Sequence, residues 1–390
     1  MTDQPKTHPS TDTQRPADIQ KNAAQNPRER IARMHSFLER HGWGEARHYP
    51  IEGDASSRQY IRLEKNGVKA VLMNAPMEFP PAQPLQKAAP DTSPEARRKR
   101  GYGAMARLAG EHQAAFICLA DALTQRGFSA PQIWAVDLDQ GFILMEDLGA
   151  TLYARVLEDD ITLEPSIYEP AIDTLAALYR SSFPKTLQAH GHSWHVGDYD
   201  TMALLAETDL FLDWYMKDLG HEVTDIMRAD WYGLWESAFT YLEAHAPGLC
   251  LRDFHAENIF WLPERKATAR VGLIDFQDGL FVHPAYDLVS LLEDARRDVQ
   301  ADLHIPLMKH FCQQAGVSYD DEFITAYKVI AAQRHTKVIG FPIRADIMFG
   351  KPQYRALIPR VKADLNRSLT HPALHPIRAW TVKYVPELLS

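Results

Sequence analysis

The pattern of the chain changes near residue 150, and this change constrains the fold more than any other feature of the sequence. Before it, residues 58–64 alternate polar and apolar side chains, residues 68–73 form a β-rich run, and Asn66-Gly67 between them is a strong hairpin signal. After it, apolar residues recur at helical spacing. This order predicts an α+β fold with two lobes, a small antiparallel sheet followed by a larger helical body.

Further elements complete this prediction. Two more short strands are expected at 133–138 and 141–146, with a helix at 111–126 before them. Beyond the change in pattern, helices are predicted at 167–181, 202–218, 228–245 and 285–299. A first helix is also expected, and its inner face should comprise Ile31, Met34, Phe37 and Leu38.

Composition divides the chain into four segments. Residues 1–30 contain no aromatic side chain, and we expect a disordered tail there. Residues 31–146 are predicted to form the sheet-containing N-lobe, with an irregular, proline-rich insertion at 79–100. Residues 147–370 are expected to form the helical C-lobe, and residues 371–390 a C-terminal extension.

Charge and cysteine content exclude several classes of protein. The 42 Lys and Arg against 51 Asp and Glu give a net charge of −9, which argues against a general nucleic-acid binder. The basic run at 97–100 is therefore interpreted as a solvated face. No apolar stretch reaches the roughly 18–20 residues needed to cross a bilayer, so no membrane role is expected. Three widely spaced cysteines predict neither disulfides nor a zinc module, and the expected compartment is the cytoplasm.

The chemically informative block spans residues 250–279. Asp253 and Asn258 bracket a short loop, and Asp275 follows an apolar strand at 271–274. In phosphoryl transfer, one carboxylate orients the acceptor hydroxyl, while an amide oxygen and a second carboxylate hold Mg²⁺. The spacing therefore predicts Asp253 as the catalytic carboxylate, and Asn258 and Asp275 as the magnesium ligands.

This block resembles the aminoglycoside phosphotransferase/choline kinase branch of the protein-kinase-like fold. The family pattern is His-Gly-Asp or His-Arg-Asp, four residues, Asn, and then a strand ending in Asp; here Leu251 stands at the family's His position. Four motifs are similar, more narrowly, to the amino-sugar kinases that phosphorylate the anomeric hydroxyl of N-acetylmuramate and N-acetylglucosamine in peptidoglycan recycling. These motifs are GDAS (53–56), EDLG (146–149), LRDFHAEN (251–258) and LIDFQDG (273–279).

The resemblance implies ATP and Mg²⁺ as cofactors and a small-molecule amino sugar as acceptor. It pairs Asp253 with Arg252 in the catalytic loop, where Arg252 is expected to brace the loop. The hinge between the lobes is expected at Glu146 and Leu148, whose backbone groups would bind the purine. Tyr286-Asp287 is expected to support the catalytic loop.

The candidates for phosphate contacts lie in the N-lobe. Gly53 and Ser56 lie in a short turn whose amides and hydroxyls are expected to approach the phosphates. Related kinases carry a lysine on the third strand, but here Lys69 stands near the start of that strand, and Met73 or Asn74 occupies the expected position. Arg58 or Arg62 is favoured over Lys69 as the cation. Glu111 is a candidate partner of this cation, but a solvated acidic residue at a helix start is the preferred interpretation.

Acceptor contacts and the acceptor itself stay open. Candidate acceptor residues in the helical lobe are weighed against an ordinary amphipathic helix, which is the preferred interpretation for most of them. His255 is another candidate, with loop packing preferred. Aminoglycoside, choline and homoserine are alternative acceptors, and the missing lysine leaves a nucleotide-binding pseudokinase as the alternative to an enzyme. The helical-lobe candidates are Glu207, Asp209, Trp214, Tyr215, Asp294, Arg296 and Arg297.

Overall fold

The structure is a computed structural model that describes residues 27–51, 58–75, 93–110 and 112–389. Several predictions of the sequence analysis lie outside these residues. They concern Gly53 and Ser56, Glu111, most of the N-terminal tail and the first part of the insertion at 79–100.

The described strands and helices follow the predicted order. The strands are β1 Arg47–Ile51, β2 Gln59–Lys65, β3 Val68–Asn74, β4 Ile133–Asp137, β5 Phe142–Glu146, β6 Thr186–Ala189, β7 His192–His195, β8 Gly248–Cys250, β9 Ile259–Trp261, β10 Val271–Leu273 and β11 Leu280–Val282. The helices are α1 Pro27–Arg40, α2 Pro94–Arg100, α3 Tyr102–Met105, α4 Gln113–Thr124, α5 Tyr153–Asp159, α6 Glu164–Arg180, α7 Thr201–Leu210, α8 Met216–Asp218, α9 Asp225–Phe239, α10 Ala285–Leu292, α11 His304–Ala315, α12 Asp321–Phe349, α13 Ile358–Ser368 and α14 His375–Tyr384.

The chain divides into two compact units. The smaller comprises the described residues within 1–87 and 134–145 and carries a five-stranded sheet in the order β1-β2-β3-β5-β4. The predicted hairpin joins β2 to β3 as an antiparallel pair. Asn66 and Gly67 both have positive φ, 51° and 77°, because a two-residue hairpin turn of this kind needs left-handed backbone at both positions.

One face of this sheet packs against α1. Met34, Phe37 and Leu38 are buried there as predicted, but Ile31 is 51% exposed, and that part of the prediction is wrong. In the first turns of α1, Arg30 occupies the position that faces the sheet. Its guanidinium lies 4.0 Å from the centre of the Phe142 ring. An arginine can cover apolar surface with its stem and planar head, so the apolar pattern alone misplaced this face.

The larger unit comprises residues 88–133 and 146–390. The predicted division also falls at residue 146 but assigns 88–133 to the N-lobe, whereas these residues group here with the larger unit; the assignment of the lobes stays a prediction. Helix α4 contacts the β6–β7 hairpin, and its Phe116 stacks on Phe276 with ring centroids 5.1 Å apart. This packing joins the segment to the larger unit.

The C-terminal residues also belong to the larger unit. Ile377 and Trp380 of α14 are buried, and the Trp380 ring lies 4.6 Å from that of Trp231. The described residues of the predicted C-terminal extension therefore pack within this unit. The helix predicted at 285–299 is shorter in the structure, where α10 ends at Leu292. The chain then turns, and the Arg296 amide donates to the Asp294 side chain at 2.8 Å.

The end of the insertion differs from its prediction. Residues 94–100 form helix α2, and Arg97 is buried rather than solvated. Its guanidinium donates two hydrogen bonds to the Asp200 carboxylate, 2.5 and 2.9 Å long, and Arg107 pairs with the same carboxylate at 2.8 Å. A basic run in sequence thus supplies one structural ion pair, because Asp200 at the start of α7 lies within reach.

Helix α12, 29 residues long, passes very close to α7 at Gly340. A Cβ atom there would lie 2.1 Å from the Leu210 carbonyl oxygen. Only glycine allows this approach, and the approach fixes the position of the α12 side chains that reach the site described below.

We expect Gly340→Ala to destabilise the larger unit by about 2 kcal/mol or more, because overpacking against fixed backbone outweighs the higher helix propensity of alanine. Gly233→Ala in α9 is the matched control: a Cβ there meets nothing within 4 Å, so this variant should gain about 0.5–1 kcal/mol. Calorimetric unfolding of both variants measures the difference. Equal midpoints would show that the α7–α12 contact does not limit stability.

Candidate active site

The loop that carries Asp253 is held by backbone hydrogen bonds to one buried carboxylate. Asp287, on α10, accepts from the amides of Leu251 and Arg252 at 2.6 and 2.9 Å. Burial raises the pKa of Asp287 to about 6, while the two amide bonds favour its ionised form. Arg252 has a φ of 72°, a left-handed conformation that costs a non-glycine residue energy, and these bonds hold it there. Asp287 therefore fixes the loop, in the role expected for it.

Arg252 itself points away from any substrate. Its side chain is fully buried, pairs with Glu207, and donates to the Ala106 carbonyl at 3.1 Å. Its guanidinium also lies 4.9 Å from the centre of the Tyr199 ring. Arg252 thus braces the loop as expected, and its grouping with Asp253 as a catalytic residue is corrected, because a fully buried guanidinium contacts no substrate.

Glu207 is likewise a structural residue and not an acceptor contact. Its carboxylate is fully buried and receives the Lys337 ammonium at 2.8 Å and the Gln333 amide at 3.3 Å. Despite the cost of burial, the charges of Lys337 and Arg252 lower the pKa of Glu207. The carboxylate therefore stays ionised between two cations.

Other acceptor candidates also have partners within the larger unit. Asp209 binds Arg228 and Tyr232, and Arg297 pairs with Glu164. The preferred interpretation of these positions as packing residues agrees with these contacts. Arg296 is different, because it is exposed and reaches the catalytic loop.

Asp253 is the accessible carboxylate of the loop. Its side chain is 35% exposed, and the Arg334 guanidinium lies 3.8 Å from its Oδ1. Burial of the site opposes ionisation, but the charges of Lys337 and Arg334 outweigh it and lower the pKa of Asp253 to about 2. The carboxylate is therefore ionised at neutral pH and can accept a hydrogen bond from an acceptor hydroxyl.

Asn258 has its amide nitrogen directed into the loop. Nδ2 donates to the Asp253 carbonyl at 3.0 Å, and it lies 3.3 Å both from His255 Nε2 and from Asp275 Oδ2. Because all three neighbours are acceptors, the nitrogen faces them and Oδ1 is the atom left for a cation. An amide oxygen beside a carboxylate fits Mg²⁺, which takes few protein ligands and completes its shell with phosphate oxygens and water.

Asp275 is positioned by the strand before it. Strand β10 of the short pair β9–β10 is buried, and the Ile274 amide donates to the Asn258 carbonyl at 3.2 Å, which links the two candidate metal ligands through the backbone. Asp275 has a φ of 59°, and its Oδ1 accepts from Gln277 Nε2 at 2.7 Å. The structure thus brings Asn258 and Asp275 together as predicted.

His255 is buried behind Asn258. Desolvation, together with the nearby Arg296 charge, lowers the pKa of His255 to about 4, so its ring is neutral. Its Nε2 lies 3.2 Å from the Arg296 guanidinium, which donates to it. This contact fits the preferred loop-packing role of His255 and brings one exposed cation next to the candidate metal ligands.

In the smaller unit, the candidates for the nucleotide cation share one face of the sheet. Arg62 stands opposite Val71, and Lys69 opposite Glu64 at the exposed hairpin end. Asn74 is excluded from this face, because its side chain accepts from Arg30 Nε at 3.0 Å. Met73 lies on the same face as Arg62 and Lys69, so it stays the predicted occupant of the family's lysine position.

The hinge candidates lie where the chain enters the larger unit. The Glu146 amide donates to the Gln132 carbonyl at 2.9 Å, so only the carbonyl of Glu146 is available to a purine. The Glu146 side chain pairs with Arg265 at 2.5 Å. Leu148 is buried, which limits its own contribution to backbone groups.

Sequence reasoning missed Arg334 and Lys337. Both lie on α12, in the stretch Gln333-Arg334-His335-Thr336-Lys337 within a helix that is otherwise largely apolar. Four of these five residues are buried. A polar run inside an apolar helix was the available signal, because buried polar groups need partners.

The fold and this loop geometry define a kinase-like phosphotransferase. Residues 48–334 match the family model described as "Phosphotransferase enzyme family", and the chain belongs to this family. It is therefore an enzyme, and the predicted α+β, protein-kinase-like fold is confirmed. No described helix is long and apolar enough to cross a membrane.

Curated relatives and solved structures agree with this assignment. The chain is 36% identical over 360 residues, 92% of its own length and 97% of the relative's, to the N-acetylmuramate/N-acetylglucosamine kinase of Caulobacter vibrioides. It is 31% identical to the protein of the same name from Neisseria meningitidis serogroup B, over 66% of this chain and 76% of the relative. A choline/ethanolamine kinase family protein from Mesorhizobium loti has the same fold, with a TM-score of 0.55 at 14% identity, over 90% of this chain and 98% of that chain.

We expect the activity to be insensitive to protonation of Asp253 between pH 5 and 8, because its pKa of about 2 keeps it ionised there. Lys337→Gln removes a positive charge, so the pKa of Asp253 rises and the acid limb of kcat moves to higher pH. Lys328→Gln is the matched control on the same helix, since Lys328 pairs with Glu293 at 3.6 Å. Identical acid limbs in both variants would refute the electrostatic role of Lys337.

Proposed function

We propose that this enzyme transfers the γ-phosphoryl group of ATP to the anomeric hydroxyl of N-acetylmuramate and N-acetylglucosamine, in the cytoplasm. The names of the curated relatives contain both sugars. The similarity to the Caulobacter vibrioides relative extends over nearly the full length of the chain. The observation that carries the proposal is the charge next to Asp253, where Arg334 and Lys337 are the nearest ionic groups of α12.

This charge selects among the possible acceptors. Aminoglycosides and choline are cations, and the Arg334 guanidinium, 3.8 Å from Asp253 Oδ1, would compete with them for the accepting carboxylate. An N-acetylated sugar has no amine charge, because acetylation turns the amine into an amide. The environment of Asp253 thus favours the amino sugars over the cationic acceptors of the wider family.

The proposed reaction forms one phosphorus–oxygen bond and breaks another. The anomeric oxygen of the sugar attacks the γ-phosphorus of ATP, the bond from that phosphorus to the β,γ-bridging oxygen breaks, and ADP leaves. The hydroxyl proton passes to the Asp253 carboxylate, or through it to water. The products are the sugar 1-phosphate and ADP.

The low pKa of Asp253 defines how it acts. A carboxylate with a pKa of about 2 is a weak base and does not remove a sugar hydroxyl proton before the transfer begins. It instead accepts the hydroxyl hydrogen bond and holds the oxygen in line with the phosphorus. This suits phosphoryl transfer, in which positioning and charge stabilisation supply most of the catalysis.

Asn258 and Asp275 would hold Mg²⁺ through oxygen atoms. Bound there, the ion would neutralise charge on the phosphate oxygens. The contacts of Asn258 Nδ2 with the Asp253 carbonyl and Asp275 keep the amide oriented for this role, and the Arg296 guanidinium adds a further positive charge nearby.

We expect the wild-type enzyme to form a sugar 1-phosphate from Mg-ATP and either amino sugar, detected by phosphorus NMR. Asp253→Asn should lower kcat by about 10²–10⁴-fold with the fold retained, because the amide no longer accepts the proton and orients the hydroxyl less well. Choline and an aminoglycoside are the matched acceptor controls. Phosphorylation of a control acceptor in place of both sugars would refute the proposal.

A second experiment tests the nucleotide cation in the smaller unit. Arg62→Gln should raise the KM for ATP by about tenfold, the loss expected for one charge-assisted phosphate contact. Lys69→Gln is the matched control, because Lys69 lies on the same face at the exposed hairpin end. A larger effect of Lys69→Gln than of Arg62→Gln would reverse the assignment.

A further inference from the structure

Asp294 ties the turn that follows α10 to the catalytic loop. Its side chain is buried, and its two oxygens accept from the Arg296 amide at 2.8 Å and from the Ala256 amide at 3.4 Å. The first bond closes the turn, and the second joins the turn to the loop between Asp253 and Asn258. This arrangement places the exposed side chain of Arg296 beside the loop.

The two adjacent arginines of this turn have different partners. Arg297 pairs with the buried carboxylate of Glu164, whereas Arg296 Nη1 donates to His255 Nε2 at 3.2 Å. His255 is only 4% exposed, so this bond reaches from an exposed arginine to a ring inside the loop. The Arg296 guanidinium therefore acts on a histidine ring and not on a carboxylate.

The contact with Arg296 defines the state of the His255 ring. A guanidinium has hydrogen-bond donors and no acceptor, so Nε2 accepts and the ring proton lies on Nδ1. Nδ1 is buried and has no hydrogen-bond partner among the residues that the structure describes. No contact on that side of the ring selects the tautomer in this part of the chain, so the selection depends on the contacts at Nε2.

The tautomer of His255 affects which atom of Asn258 faces the cation site. With Nε2 unprotonated, the ring accepts from Asn258 Nδ2, which lies 3.3 Å away, and Oδ1 is left for the metal. With the proton on Nε2, the ring would donate and would favour the flipped amide, whose NH₂ group repels a cation. The Asp253 carbonyl and Asp275 also accept from Nδ2, at 3.0 and 3.3 Å, but Asp275 would itself bind the metal.

We propose that Arg296 is a positioning residue for the metal site, because it fixes the tautomer of His255 and the ring in turn holds Asn258 Oδ1 toward Mg²⁺. The inference rests on the magnesium site of the proposed function and adds two residues that support it. Loss of a group that orients a metal ligand lowers metal affinity by about 10–100-fold in other proteins. The contact of Asn258 with the Asp253 carbonyl remains in place, so we expect the lower end of this range.

Substitution of Arg296 tests this role through metal binding, with ADP bound and without any sugar. Mn²⁺ is the probe, because it takes the same oxygen ligands as Mg²⁺ and is detected by electron paramagnetic resonance. Arg296→Met removes the donor and should raise the dissociation constant of Mn²⁺ about tenfold. Electrostatics alone predicts the opposite sign, because removal of a positive charge strengthens the binding of a cation. Unchanged or tighter Mn²⁺ binding would therefore overturn the inference.

Arg296→Lys and Arg360→Met are the matched controls. Lysine also donates without accepting, so Arg296→Lys should restore most of the Mn²⁺ affinity. Arg360, on α13, pairs with Asp298 at 2.8 Å and donates to the Ala295 carbonyl at 3.2 Å, so it supports the same turn through other bonds. Arg360→Met should bind Mn²⁺ as the wild-type protein does. An equal loss in Arg360→Met and Arg296→Met would assign the effect to the turn as a whole and would contradict the role of the His255 contact.

Nitrogen-15 NMR of the histidine side chains observes the tautomer directly, with His255 assigned from the spectrum of His255→Gln. We expect the wild-type ring to carry its proton on Nδ1, and Arg296→Met to populate the other tautomer. A wild-type ring protonated on Nε2 would refute the inference. Failure of the proposed acceptor gives a different result, because the wild-type protein would then bind Mn²⁺ and ADP but phosphorylate neither sugar. A wild-type protein that binds ADP without Mn²⁺ would refute the magnesium site and this inference together.

Discussion

The buried ion pair between Arg252 and Glu207 is the contact on which the site depends. It joins the catalytic loop to α7, and Lys337 and Gln333 join α12 to the same carboxylate. Two buried charges cost solvation energy, but removing one partner costs about 3–5 kcal/mol, because the other charge is left unpaired. One cluster of charged side chains therefore holds the loop, α7 and α12 in their relative positions. The position of Asp253 on the loop depends on this cluster.

The same cluster sets the chemistry of Asp253. Lys337 neutralises Glu207 and also lowers the pKa of Asp253, while Arg334 donates to the Arg252 carbonyl at 3.0 Å and approaches the Asp253 carboxylate. Each cation thus serves the loop and the reacting carboxylate at once. Such shared groups couple stability to activity, so a substitution in the cluster changes both.

The parts of the fold that could be predicted have a local cause. The Asn66-Gly67 turn needs only its own backbone, and the separation of Asp253, Asn258 and Asp275 is fixed by the strands beside them. Arg334 lies 81 positions after Asp253, and no periodicity shows which helix approaches a loop. Arg97 was placed in solvent for the same reason, since its partner Asp200 is 103 positions away. The sequence shows which residues are charged, but their ion-pair partners depend on tertiary packing.

The division of labour within the site follows from these contacts. Asn258 contacts Asp275 and the Asp253 carbonyl, Asp287 accepts from the loop amides, and none of these contacts depends on the acceptor. In the proposed function, the acceptor would meet the exposed edge of Asp253, next to Arg334 of α12. A catalytic motif can therefore stay the same while the acceptor class changes, if the charge on the facing helix changes. Acidic side chains at the positions of Arg334 and Lys337 would suit a cationic acceptor, and they would also raise the pKa of Asp253 and leave Glu207 with one cation fewer. Because of that double cost, a change of acceptor class at this site requires the buried cluster to change with it.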